Sequence, residues 1–213
     1  FAIVGLVIDR FSGFKNFHYQ PAMFKYFAAA CIPAYFLSIL WAKLPWYLYI
    51  LPVFAVILQL LGLLMLVKMV LRHLFQIRSE WPFAVKWLLG LAFLALVIKL
   101  MLQAGSVFPE ISKLAFGFRS IVIAYLHLVL LAFTTLFLLG YLLLCGHLPY
   151  GKRSVFALVA ISAGVFANEF VLMVQGVASF GYILIPYLNE TLFGISLLIL
   201  LSLVLLLSAF KKA

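Results

Sequence analysis

A chain of 213 residues that is 68% hydrophobic and only 9% charged cannot cover itself with a water-soluble surface, because soluble domains run roughly 45–50% apolar and about 25% charged. That excludes a soluble enzyme, a disordered tail, a disulfide scaffold and a nucleic-acid module, and it predicts an all-α, polytopic transmembrane helical bundle. The net charge of +10, from 15 bases against 5 acids, then marks cytoplasmic loops rather than an anionic polymer partner.

The elements follow in chain order. Residues 1–8 (FAIVGLVI) read as the last two turns of an incoming helix that exits at Asp9 and Arg10, so the chain is expected to be the C-terminal part of a longer one. Residues 11–20 (FSGFKNFHYQ) mix aromatics with bases and are expected to lie along the inner membrane surface, His18 as an interfacial residue. Six stretches then reach the roughly 20 mainly apolar residues that cross about 30 Å of hydrocarbon. They cover about 22–41, 46–71, 83–104, 120–144, 154–178 and 191–210, in a single transmembrane domain over 1–213. Helix is the only option for them, since an open sheet would leave unpaired backbone groups facing lipid. Pro33 and Pro52 interrupt the first two spans. The fifth carries small residues at Ala160, Ser162, Ala163, Gly164 and Ala167, a pattern that lets helices approach closely. The sixth is nearly featureless and is expected to face lipid. Cys31 and Cys145 lie in or beside apolar stretches and give no disulfide framework.

The bases fall mostly on one side of the predicted spans: Arg10, Lys15 and Lys25, then Lys68, Arg72, Arg78 and Lys86, then Lys152 and Arg153, then Lys211 and Lys212. The other side carries Lys43, Lys113 and Arg119, while Lys99 lies inside a span. Short basic loops stay in the cytoplasm. The expectation is therefore a multi-pass protein of the bacterial cytoplasmic (inner) membrane with its C-terminus inside. Aromatic residues gather at both interfaces, Trp41, Trp46, Tyr47 and Tyr49 outside and Trp81 and Trp87 inside, where amphipathic rings prefer to sit.

Ionisable groups within hydrocarbon cost at least ~2.5 kcal/mol at mid-span, so each is a site hypothesis. Lys99 in the third span, His127 in the fourth, and Asn168 and Glu169 in the fifth fall in the outer half of the bilayer, with Gln103 one turn beyond Lys99. They predict a buried polar layer near the outer leaflet, open to three readings: hydrogen-bonded packing, an ion pair, or a proton relay. His127 is the only histidine within a span, and Ser120, His127, Thr134 and Tyr141 recur every seven residues, a stripe that drifts only about 20° per step. Neutral imidazole is the commonest metal ligand and a frequent haem ligand.

The stretch Ala124-Tyr125-Leu126-His127-Leu128-Val129-Leu130 resembles the tenth helix of subunit I of the haem–copper oxidases, which reads Ala-His-Phe-His-Tyr-Val-Leu. The resemblance covers about twenty residues. His127 matches the histidine that binds the low-spin haem, whereas Tyr125 stands where the high-spin haem ligand would be. By the same alignment the first span should carry the copper histidines, and it has none. What the resemblance implies is a degenerate C-terminal half of an oxidase-like protein, not an enzyme on its own. It would hold one b-type haem for electron transfer or redox sensing without oxygen reduction, His127 being an axial iron ligand and Arg119 meeting the propionates. The second axial ligand would come from upstream helices of the same chain or from another membrane subunit. Two further expectations stand beside it: a haem-free structural or assembly subunit, and a small-solute or proton transporter whose path is lined by Lys99, Glu169 and His127. Apart from the lipid bilayer and such a subunit no partner is expected, and no nucleic acid.

Overall fold

The structure, a computed structural model, describes residues 21–40, 45 and 47–210. The stub at 1–8, Asp9, Arg10, the segment 11–20 with Lys15 and His18, and also Trp41, Lys43, Trp46, Lys211 and Lys212, lie outside the described residues. What is described is all-helical, without a strand. In chain order come α1 (Pro21–Ala34) with a 3₁₀ turn (Tyr35–Ile39), α2 (Ile50–Arg72), α3 (Leu74–Glu80), α4 (Phe83–Gly105) and α5 (Pro109–Gly117). Next come α6 (Arg119–His127), a π-helical stretch (Leu128–Thr135), α7 (Leu136–Leu144), α8 (Lys152–Phe180) and α9 (Leu188–Phe210).

Five helices are long and apolar enough to cross a bilayer: α2, α4, the continuous run Arg119–Leu144, α8 and α9. The chain is thus a multi-pass membrane protein, and these five match the second to sixth predicted spans within a few residues at each end. The stretch expected as a first span at 22–41 is a shorter apolar helix, Pro21–Leu37. Its end tightens into 3₁₀ winding just after Pro33, which has no N–H to give to the preceding turn. The short α3 and α5 lie in stretches expected as loops.

The chain divides into two compact units, Phe1–Glu80 with Leu100–Leu114 and Trp81–Lys99 with Ala115–Ala213. In the first, α1 packs along α2. A Cβ at Gly62 would stand 3.0 Å from the Phe27 ring, so the small residue lets the two helices approach closely here. Leu37, Leu40 and Val56 form an apolar cluster flanked by Tyr49, Leu60, Ala104 and Val107, and the Tyr49 hydroxyl donates to the Val107 carbonyl. His73 ends α2 with Nδ1–H donating to the Met69 carbonyl at 3.0 Å.

In the second unit α8 is the central element. Its buried stripe, Leu158, Ile161, Val165 and Leu172, repeats at helical spacing. A Cβ at Gly164 would stand 2.6 Å from Ile199 Cγ1 of α9, so the small residues of this span bring α8 and α9 together. On the α4 side Trp87 Nε1 donates to Ser162 Oγ of α8 at 3.0 Å, while Gly140 of α7 sits under Leu89. Trp87, expected as an interfacial ring, is thus also a tether between helices. Most of α9 stays exposed, with Ser202 and Leu206 turned inward, as a lipid-facing helix requires.

Candidate functional site

The site is built where α6 and α8 run antiparallel. Their register can be read rung by rung. Phe118 packs edge-on against Phe180 (5.5 Å) and Tyr182 (5.9 Å). The Ser120 and Ser179 hydroxyls meet at 2.7 Å, and the Cβ position of Gly176 is 3.5 Å from Ile121 Cγ1. Two turns further in, about 12 Å from Arg119 at 1.5 Å per residue, His127 comes within electrostatic reach of Glu169, with Asn168 beside the carboxylate.

The polar atoms here are incompletely satisfied. Glu169 Oε1 and Asn168 Nδ2 are buried without a hydrogen-bond partner. The His127 ring lies 2.9 Å through Nδ1 from the Ile123 carbonyl. A carbonyl can only accept, so Nδ1 carries the hydrogen, and Nε2 is left with no hydrogen bond among the described residues. Leaving a buried polar group unmatched costs about 1–3 kcal/mol. Two such atoms on α8, with the His127 imidazole of α6 within electrostatic reach, mark a candidate place for a small polar guest.

Directly after His127 the helix is wound as π for eight residues. The Thr134 hydroxyl donates to Val129 O (2.8 Å) and the Thr135 hydroxyl to Leu130 O (3.0 Å), each five residues back, in step with the wider turn. Within the seven-residue stripe Ser120 meets Ser179 of α8 and His127 comes within reach of Glu169, whereas Thr134 spends its hydroxyl on its own helix.

Of the remaining predicted residues, Arg119 is exposed at the start of α6, and Lys99 is half-buried on α4 and is not among the groups around Glu169. Gln103 belongs to the first unit, where its Oε1 is buried without a partner. For the haem that the resemblance implies, the His127 tautomer presents Nε2 as an axial ligand would. The second unit offers no other imidazole at that depth among its described residues, because His147 follows α7 at the opposite end of the same span. No cluster of three or more His, Cys, Asp or Glu is placed to hold a metal ion among the described residues.

Sequence reasoning passed over Gln59, 5% exposed within α2 with an unpartnered Oε1, whose signal was a lone polar residue in mid-span. It also passed over Leu172 and the π winding, neither of which has a signature in the sequence. No family model matches the chain, and no match to a curated protein or a solved structure is found.

Proposed function

We propose that this protein moves protons, or a small solute that carries them, across a bacterial inner membrane, with His127, Glu169 and Asn168 as the relay within the bilayer. The observation that carries the reading is that two buried atoms of α8 without hydrogen-bond partners, Glu169 Oε1 and Asn168 Nδ2, lie where His127 of α6 comes within electrostatic reach. An imidazole whose Nδ1 is held by the Ile123 carbonyl takes up and releases a proton at Nε2, and a facing carboxylate is its natural exchange partner. The Asn168 amide holds the bridging guest. On this reading the first apolar stretch completes six spans, the basic loops and the C-terminus face the cytoplasm, and the α8–α9 loop faces outward. On the same reading, upstream helices of the same chain or another membrane subunit pack against the exposed faces of the bundle.

The experiment is proton flux into liposomes carrying the full-length protein, followed with an enclosed pH dye. Glu169→Gln, which keeps size and hydrogen bonding, is expected to cut the flux by about tenfold or more, as loss of a relay carboxylate should. Flux equal to that of the unmodified protein, in a variant that elutes as a single folded species, overturns the reading.

A second reading, a low-spin b-type haem in an oxidase-like membrane protein, is favoured by one observation, the Nδ1 hydrogen bond that leaves Nε2 free to ligate. His127 would then be an axial ligand and Arg119 the partner of the propionates, and the haem would supply one-electron transfer. A reduced-minus-oxidised spectrum decides it: an α-band present in the unmodified protein and lost in His127→Ala establishes the haem, and absence of any band from haem-replete cells removes it.

A further inference from the structure

At the end of α8 nearest Arg119 the chain turns through a loop whose two tyrosines, Tyr182 (φ 52°) and Tyr187 (φ 58°), adopt the left-handed conformation rare for non-glycine residues. Under this loop lies a cleft of about 390 Å³, lined by Gln175, Ser179, Ile183, Tyr187, Asn189 and Glu190, among others. Its floor is α8 itself. Asn168, Leu172, Gln175 and Ser179 follow one another at spacings of four, three and four, which puts them on one face of the helix. Toward the opposite end of α8 that face is closed: Val165 and Ile161 are 0% and 1% exposed, and Ser162 is engaged with Trp87 and with the Val159 carbonyl. Between the cleft floor at Gln175 and the cluster at Asn168, a distance of about 10 Å along the helix, stands Leu172, 3% exposed. The α6–α8 rungs put it level with Leu126, one residue short of His127.

We propose that this cleft is the aqueous vestibule of the His127–Asn168–Glu169 cluster and that Leu172 is the apolar barrier closing one from the other. Narrow apolar constrictions exclude water and stop the passage of polar species until they widen. Glu190, in the first turn of α9, is the one charged side chain among the described residues that line the cleft, so the vestibule suits water and protons rather than anions. The inference rests on the relay reading for what the vestibule serves, but the access it describes is measured separately.

The test uses single cysteines in the full-length protein with Cys31→Ser and Cys145→Ser, reconstituted in liposomes. A membrane-impermeant methanethiosulfonate is added on the side of the α8–α9 loop. This reagent attacks the thiolate, which forms only where water reaches. Gln175→Cys and Ser179→Cys are expected to react readily, and Asn168→Cys at least about tenfold more slowly. Adding Leu172→Ala is expected to bring the Asn168→Cys rate close to that of Gln175→Cys. Inert cysteines at both 175 and 179, equal rates at 168 and 175 with Leu172 in place, or no gain from Leu172→Ala each overturn the proposal. Labelling needs no transport, so unchanged flux in Glu169→Gln would remove the relay and leave the vestibule standing or falling on these rates.

Discussion

The chemistry of His127 is set by a backbone atom. Because the Ile123 carbonyl can only accept, the ring keeps its hydrogen on Nδ1, and Nε2 is the nitrogen left open to a partner. A ¹⁵N spectrum of histidine-labelled protein is expected to show the Nδ1 of His127 as the protonated nitrogen, and a resonance pattern with the hydrogen on Nε2 alone would refute this. His127 and Glu169 were both legible from sequence, since each is an ionisable residue within an apolar run. Their meeting was not. It depends on the register of α6 against α8, which the Ser120–Ser179 and Ile121–Gly176 rungs fix and no spacing along the chain reveals. Lys99 and Gln103 were singled out from sequence in the same way, as polar residues of an apolar run, and both lie on α4.

For the helices, length and composition sufficed to place five spans, because hydrocarbon thickness imposes a count of apolar residues whatever the packing. How the spans touch is a matter of single atoms. The small-residue pairs of α8 announced a close approach, and Gly164 against Ile199 is where it occurs. Gly164→Val drives a side chain into that contact and is expected to destabilise by about 1–3 kcal/mol, the usual cost of overpacking. Gly90→Ala in α4 has nothing within 4 Å to strike and is expected to be neutral or slightly stabilising. Thermal unfolding in detergent checks both, and equal midpoints for Gly164→Val and the unmodified protein would deny the tight crossing. The π winding after His127 escaped prediction because Leu128–Thr135 has the composition of any membrane helix. What distinguishes it is where two threonine hydroxyls find their carbonyls.

For the whole molecule, the imbalance of basic residues gives an expected orientation that can be measured. Lys152→Cys, at the start of α8, is expected to resist an impermeant thiol reagent added to intact cells, whereas Asn189→Cys, after the α8–α9 loop, reacts; the reverse pattern would invert the topology. The same two positions bracket a helix of unusual reach. With 29 residues, α8 is about 44 Å long at 1.5 Å per residue, against roughly 30 Å of hydrocarbon. Its ends must therefore stand among the headgroups or lean to stay within the acyl layer. One of those ends is the turn that carries Gln175 and Ser179. In lipids with longer acyl chains that turn sinks from the headgroup zone toward hydrocarbon, and in thinner bilayers it rises into water. How wet the approach to His127 is then depends on the membrane in which the protein sits as well as on its own side chains.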